Sequence, residues 1–377
     1  KDGLDLQHNG MKFNIEMSFN KDTLKKKLQT ICADYEIKAK NASLEATGHG
    51  FKIIKEKEGV TVDYDKTVEQ LYTYVTEKWN KKANIKLTAT TTVSKPKYTT
   101  EDCEKVSNEP MGSYTTEFSV GSSYANRNLN IQNGAKLING AVVYPGEQYS
   151  CNENLYPWTE DNGWHPAGTY VDGGGQDSLG GGICQVSSTL YNALLRAEIK
   201  VVKRFPHSMA VGYVPLSADA ALAGDYKDLV FENDTDAPIY VQGIYNSGGS
   251  ITFNIYGHDT RKAGHSVKYE SKTVKTTPVK TQTKKDSSKP VGYSEVESSG
   301  HVGYVAELWK ITYENGKQVS KELIHTSTYA MSPTIVVKGT KKASTTIKKD
   351  DSDKDDKKSS EEKTKKSTSS KKSKKSE

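Results

Sequence analysis

The stretch GGGICQVSSTLYNALLRAEI, residues 180–199, constrains the fold more than any other part of this 377-residue chain. Its apolar residues recur at helical spacing and predict an amphipathic helix from about Cys184 to Ala197. Strand-like runs lie on both sides of it, among them AKLINGAVVYPGEQYS, DLVFEN and SITFNIYG. A single helix among such runs predicts an α+β domain over residues 111–260, in which the helix packs on a mainly antiparallel sheet.

The flanking regions predict two further domains and a tail, so the fold class we expect is α+β multidomain. Residues 1–110 alternate two amphipathic helices with short strands, and Asp22 and Cys32 are the expected N-cap and core residue of the first helix. Residues 261–340 alternate apolar and polar residues and predict an elongated all-β module, in which ENGK forms a hairpin turn. Residues 341–377 contain 14 lysines, 8 acidic residues and one isoleucine. Such a composition predicts a disordered tail.

The charge distribution excludes some classes of partner. The tail carries the whole net charge of +6, so no folded domain concentrates the positive charge that a nucleic-acid-binding protein needs. No apolar run approaches the roughly 18 residues of a membrane-spanning helix. Because the chain begins at KDGLDLQ without an initiator methionine, we expect a membrane anchor or export signal to precede it.

The four cysteines, Cys32, Cys103, Cys151 and Cys184, are too few for a fold held together by disulfides. There is no CxxC pair and no zinc-like Cys/His spacing, so we predict no metal site. For Cys184 the sequence leaves three roles open: a packing residue, half of a disulfide with Cys151, or a nucleophile.

The position of Cys184 favours chemistry at this residue. It lies off the apolar stripe and at the helix N-terminus, where unpaired N–H groups and the helix dipole stabilise a thiolate. A nucleophilic thiolate needs a base or a cation beside it. The best candidate is His207 in RFPHSMAVGYVP, between the helix and the next strand, and His165 in GWHPAG is a weaker one.

The blocks GGGICQVSSTLYNA and RFPHSMAVGYVPLSADA fall in an order that resembles the VanW family over roughly residues 112–260. Residues 20–100 resemble a peptidoglycan-binding domain, and ITYENGKQVSKEL and PTIVVKGT resemble a G5 domain, a β module of cell-surface proteins. The sequence departs from the usual VanW pattern at Cys151, where phenylalanine is expected, and at Ser217, where glycine is common.

The resemblance implies a bacterial cell-wall enzyme, a cysteine-dependent L,D-transpeptidase that makes 3-3 peptidoglycan cross-links. It assigns Cys184 as nucleophile and His207 as its partner. We further predict supporting residues: backbone N–H groups from Gly182 to Gln185 as the oxyanion site, Ser188 or Ser208 to orient the imidazole, and Arg204 to bind a substrate carboxylate. The third catalytic residue stays open.

The expected partners are peptidoglycan stem peptides and glycan, with anionic wall polymers held by the basic tail and a membrane contacted only through the expected anchor. We expect no cofactor, and a location at the bacterial cell surface. Two alternatives remain: a non-catalytic wall-binding scaffold, and a cysteine L,D-carboxypeptidase that passes the same acyl group to water.

Overall fold

The structure is a computed structural model that describes residues 19–47, 50–79, 86–171 and 174–342. The predicted disordered tail lies outside the described residues, apart from residues 341 and 342. Within the described range the chain forms two compact units. The first comprises residues 19–282 and 296–336, so it extends across the domain boundary predicted at residue 260. The second comprises residues 283–295 and 337–342.

The N-terminal region combines short helices with two-stranded antiparallel sheets, β1 with β2 and β3 with β4. Asn20, and not Asp22, caps α1, because its Oδ1 accepts from the Thr23 N–H at 2.9 Å. No residue of α1 is buried, so Cys32 is half-buried and does not form the expected core. The elements are α1 Lys21–Cys32, β1 Ser43–Thr47, β2 Gly50–Ile54, β3 Gly59–Val62, α2 Tyr64–Thr73, β4 Thr91–Ser94 and α3 Thr100–Glu104.

The central region is built on an antiparallel sheet with the order β5-β13-β12-β6. Helices α4 and α6 pack on this sheet and enclose the main hydrophobic core. A second sheet has the order β10-β11-β7, and β8 pairs with β9. The elements are β5 Gly112–Glu117, α4 Ala125–Ile138, β6 Ala141–Val143, β7 Gln148–Ser150, α5 Cys151–Leu155, β8 Pro166–Val171, β9 Gly174–Leu179, α6 Ile183–Arg196, β10 Lys200–Lys203, β11 Val230–Glu232, β12 Ile239–Asn246 and β13 Ser250–Tyr256.

Helix α6 is the helix predicted from the sequence, and its predicted stripe residues Ile183, Val186 and Leu190 are buried. Helix α4 was not predicted. Its sequence ANRNLNIQNGAKLI is rich in asparagine and contains a glycine, both poor helix formers. It forms because Ile131, Ala135 and Ile138 lie on one face and are almost completely buried against the sheet.

The C-terminal strands are long, and β17 pairs with both β14 and β18. The ENGK turn between β17 and β18 is confirmed as a tight hairpin, with positive φ at Asn315 (50°) and Gly316 (77°). No helix in the described residues is both long and apolar enough to span a membrane. The elements are β14 His265–Thr277, β15 Thr281–Pro290, β16 Ser294–Ser298, β17 Gly303–Glu314, β18 Lys317–Tyr329 and β19 Thr334–Lys341.

Candidate active site

A tight turn at Gly182 places Cys184 at the start of α6. Gly182 has φ of 108°, in the left-handed region that favours glycine. A Cβ there would lie 3.0 Å from Cγ of Arg127, so the turn packs closely against α4. The helix begins at Ile183, which makes Cys184 its second residue.

The polar face of α6 is buried, because it binds the backbone of residues 218–222. Ser187 donates to the carbonyl of Ala220 at 2.7 Å, and Ser188 Oγ accepts from the Ala220 N–H at 2.9 Å. Asn192 donates to the carbonyl of Ala218 at 2.7 Å. These contacts hold the backbone of residues 218–222 against α6 and so fix the position of Asp219.

The Cys184 thiol lies where this segment ends. Its sulfur is 3.4 Å from the backbone nitrogen of Leu222 and 3.5 Å from the Leu222 carbonyl oxygen. Burial opposes ionisation, but hydrogen bonding and the charge of His207, together with the Leu222 N–H, lower the pKa of Cys184. Cys184 and His207 thus lie close enough for each to shift the pKa of the other.

Asp219 holds the His207 imidazole from its other side. Nδ1 of the ring lies 2.6 Å from Asp219 Oδ2, which also accepts from the His207 backbone N–H at 2.7 Å. Burial alone would lower the pKa of His207, but hydrogen bonds to Asp219 and Cys184 raise it to about 9. Burial likewise opposes ionisation of Asp219, yet the hydrogen bond to His207 and the charge of Arg204 hold its pKa at about 2. The cluster is an acid–base pair whose charges stabilise one another.

Asp219 is the third residue of the candidate site, and it was not assigned from the sequence. The motif PLSADA contains it, and that motif was the available signal. Tyr213, from the YVP block, was also missed: its hydroxyl lies 3.4 Å from Nε2 of His207. Because Asp219 takes Nδ1, Nε2 is the ring nitrogen left to exchange a proton at the sulfur.

Three predicted supporting residues have other contacts. Arg204 is 8% exposed and pairs with Asp219 at 2.8 Å, so its guanidinium is directed into the protein and does not fit the predicted role at a substrate carboxylate. Ser188 binds Ala220, and the Ser208 carbonyl accepts from the Ala330 N–H at 2.7 Å. Asp219 is the side chain that binds Nδ1 of the imidazole, whereas the Ser188 hydroxyl is engaged with the backbone of Ala220.

The predicted oxyanion turn is partly occupied by its own hydrogen bonds. The N–H of Ile183 donates to the carbonyl of Gly180, and the N–H of Gln185 donates to the carbonyl of Gly182. The Gln185 side chain is buried, and its Oε1 accepts from Nη2 of Arg127 at 2.7 Å. Gln185 therefore positions Arg127 next to the start of α6.

All four cysteines are free thiols, so the alternative of a disulfide between Cys151 and Cys184 is not formed. In the described part of the chain, no cluster of three His, Cys, Asp or Glu side chains is arranged to hold a metal ion.

Comparison with known proteins agrees with the resemblance. Residues 126–256, which include Cys184, His207 and Asp219, match the family model described as VanW like protein. This stretch of the chain is similar to the VanW family. Residues 268–341 match the G5 domain model, and residues 5–84 match a peptidoglycan-binding domain model. The VanW resemblance and both neighbouring modules are thus confirmed, and together they support a cell-wall-associated role.

Two curated relatives share part of the VanW-containing chain. The uncharacterized protein YoaR of Bacillus subtilis is 37% identical over 164 residues, which are 44% of this chain and 53% of YoaR. The vancomycin B-type resistance protein VanW of Enterococcus faecalis is 28% identical over 116 residues, which are 29% of this chain and 42% of that protein. The chain thus spans about half the length of these relatives. A solved structure of the IgA1 protease G5 domain is 30% identical and covers 22% of this chain and 96% of its own, with a TM-score of 0.17.

Proposed function

We propose that the chain is a cysteine-dependent acyltransferase that cross-links peptidoglycan stem peptides, an L,D-transpeptidase. One observation carries the proposal: Cys184 lies at the start of α6 beside His207, whose ring is held by the buried carboxylate of Asp219. The hydrogen bond and charge of His207 lower the pKa of the Cys184 thiol. This arrangement supplies a nucleophile, a general acid–base and the group that orients it. The cell-wall modules on both sides of the VanW domain support peptidoglycan as the substrate.

In the first half-reaction, the Cys184 thiolate attacks the carbonyl carbon of the third stem residue. A C–S bond forms, and the electron pair of the carbonyl moves to oxygen. When the oxyanion collapses, the C–N bond to the terminal D-Ala breaks and protonated His207 gives its Nε2 proton to the departing amine. A thioester remains on Cys184, and D-Ala leaves.

In the second half-reaction, a side-chain amine of a neighbouring stem's third residue attacks the thioester. His207, now neutral, accepts the proton of this amine. The C–S bond breaks, and the Cys184 thiolate and an amide cross-link form. Throughout, Asp219 keeps Nδ1 protonated and stabilises the imidazolium.

The oxyanion donor that we favour is the N–H of Cys184 itself. The neighbouring amides of Ile183 and Gln185 already donate to Gly180 and Gly182. A backbone N–H at the second position of a helix is directed outward from its N-terminus and is favourable to negative charge.

Arg127 replaces Arg204 as the residue that we assign to a substrate carboxylate. Its guanidinium donates to Gln185, and its charge is coupled to Cys184. No acidic side chain among the described residues pairs with it, whereas Arg204 is neutralised by Asp219. A half-buried cation that no carboxylate among the described residues neutralises fits a carboxylate ligand.

Arg127→Met should therefore raise the KM for a tetrapeptide donor about tenfold and change kcat less. The reason is the loss of one charge-assisted contact, which contributes about 1.5 kcal/mol. Arg127→Lys, which keeps the charge and loses the bidentate fork, is the matched control and should show a smaller rise. An unchanged KM in Arg127→Met would remove this assignment.

The test of the function is incubation with disaccharide-tetrapeptide, followed by mass spectrometry. We expect a cross-linked dimer together with stoichiometric D-Ala from the wild type and from Cys32→Ser, which removes another half-buried thiol. Cys184→Ala should give neither product. Release of D-Ala without dimer at high acceptor concentration would indicate a carboxypeptidase, and no product at all would support a scaffold.

A further inference from the structure

Strand β18 presents one face of alternating polar residues to the site. His325, Ser327 and Tyr329 are at least partly buried, whereas Thr326 and Thr328 between them are exposed. This alternation is the period of a β-strand with one covered face. The strand belongs to the segment matched to the G5 model and lies outside the segment matched to VanW.

The inward side chains of β18 bind the groups that hold Asp219. The Tyr329 hydroxyl donates to Asp219 Oδ1 at 2.5 Å and accepts from the Ser217 N–H at 2.6 Å. Ser327 Oγ accepts from Nη1 of Arg204 at 2.9 Å and lies 2.8 Å from Ser217 Oγ. His325 donates from Nε2 to the Ser217 carbonyl at 2.7 Å.

Ser217 shows why these contacts matter to the backbone. Its φ is 68°, in the left-handed region that side chains other than glycine rarely occupy. Side chains of β18 bind its N–H, its carbonyl and its hydroxyl. The strained residue is therefore held by β18, and it fixes the position of Asp219 two residues later.

We infer that Tyr329 and Ser327 are positioning residues of the active site, so that a strand of the G5-matched segment completes the VanW catalytic centre. Asp219 presents Oδ2 to His207, while Tyr329 and Arg204 both bind Oδ1. With both oxygens engaged, the carboxylate cannot turn without breaking hydrogen bonds in a buried, low-dielectric environment. Tyr329 thus acts on the imidazole through Asp219. The effect of Tyr329 on turnover rests on the proposed function, whereas its contact with Asp219 does not.

Two readouts separate the inference from the proposed function. The first is the rate at which iodoacetamide alkylates Cys184 as a function of pH, followed on the Cys184 peptide by mass spectrometry, and it needs no substrate. The second is dimer formation from disaccharide-tetrapeptide. The titratable groups near the Cys184–His207–Asp219 cluster, which the pH profile must take into account, are Arg127, Tyr191, Arg204, Tyr213, His325 and Tyr329.

Tyr329→Phe removes one hydroxyl and keeps the ring. We expect the alkylation profile of Cys184 to move to higher pH, because a misplaced carboxylate supports the imidazolium less well, and the imidazolium in turn stabilises the thiolate less. Turnover should fall about 10²-fold, because a shift of about 1 Å in the position of the His207 ring can cost that much. The matched control is Tyr304→Phe. Tyr304 is paired directly with Tyr329 across β17 and β18, and its hydroxyl has no hydrogen-bond partner among the described residues.

Ser327 provides a second variant if Tyr329→Phe folds poorly. Ser327→Ala should shift the alkylation profile in the same direction by a smaller amount. Ser327→Thr retains the hydroxyl and should restore the wild-type profile, which a general loss of packing would not predict.

An alkylation profile that stays the same in Tyr329→Phe and Ser327→Ala would overturn the inference, whatever happens to turnover. A shift in both variants with normal Tyr304→Phe would support it. If the shift is found and the wild type forms no dimer, the positioning role stands and the transpeptidase proposal fails.

Discussion

The starts of helices α5 and α6 carry the same residue in similar places with opposite properties. Cys151 is the first residue of α5, and Cys184 is the second residue of α6. Both sulfurs lie at a helix N-terminus, and both side chains pack in the same hydrophobic core. Burial and the charge of Asp228 raise the pKa of Cys151 well above its usual value, whereas the pKa of Cys184 is lowered.

The difference teaches that a helix dipole and burial do not by themselves activate a thiol. At α5, the carboxylate of Asp228 caps the helix by accepting from the Asn152 N–H at 3.0 Å, and it places a negative charge near Cys151. At α6, the carboxylate of Asp219 is separated from the sulfur by His207, so the sulfur meets a cation. The sign of the charge next to each sulfur therefore decides whether its thiolate is stabilised.

The largest effect should come from removing the pair at α6. Cys184→Ala and His207→Ala should each abolish dimer formation, because both residues act in one acyl-transfer step. The double variant should be as inactive as either single variant, since the effects of residues that act as a unit do not add. The measurement is the rate of dimer formation for all three variants. Circular dichroism establishes that each variant is folded. Dimer formation that persists in Cys184→Ala would exclude the thioester mechanism.

Exchanging one carboxylate on each side tests the comparison directly. Asp219→Asn should lower turnover about 10³-fold or more, because an amide cannot hold the imidazole in the required tautomer and stabilise its charge. Asp228→Asn removes the carboxylate beside the inactive Cys151 and should leave turnover unchanged. Equal losses in the two variants would mean that Asp219 acts through folding alone, and thermal unfolding of both would reveal this.

The sequence predicted the helix that carries Cys184, but it did not identify Asp219. Helical spacing is a local signal, and it predicted α6 with Cys184 off the apolar stripe. In the structure Cys184 is half-buried and packs against the core. The polar residues Ser187, Ser188 and Asn192 resemble a solvated face in sequence, but all three are buried because they bind the backbone of residues 218–222. Their partner is a run of small residues without periodicity, and for this reason Asp219 was not identified.

Contacts far apart in sequence account for the other differences. The sequence predicts that Arg204 binds a substrate carboxylate, but its ion-pair partner Asp219 is 15 residues later and its hydroxyl partner Ser327 is 123 residues later. The ENGK hairpin was predicted correctly because the turn depends on two adjacent residues. The packing of β18 on Ser217 and Asp219 depends on tertiary structure and has no local signature.

A smaller effect concerns pH. The reaction needs a thiolate on Cys184 and a proton on His207, whose pKa is raised to about 9. The imidazolium is present below that pH and is lost as the pH rises through it, so turnover should be flat near neutral pH and fall above about pH 9. Asp219→Asn should move this fall to lower pH, since the carboxylate that raises the pKa of His207 is gone. Initial rates from pH 6 to 10.5, for example, check both statements, and a wild-type rate that keeps rising above pH 9 would contradict them.

The smallest effect on activity should come from Cys151→Ala. Cys151 is completely buried, and burial and the charge of Asp228 both disfavour its thiolate. Truncation leaves a small cavity in the core, so the free energy of unfolding should fall by about 1 kcal/mol while turnover stays at the wild-type level. Denaturant unfolding and dimer formation on the same preparation separate the two quantities. Iodoacetamide should leave Cys151 unmodified at neutral pH under conditions that alkylate Cys184 fully. If Cys151 is alkylated as fast as Cys184 in the folded protein, the neighbouring charge is not what distinguishes the two helix starts.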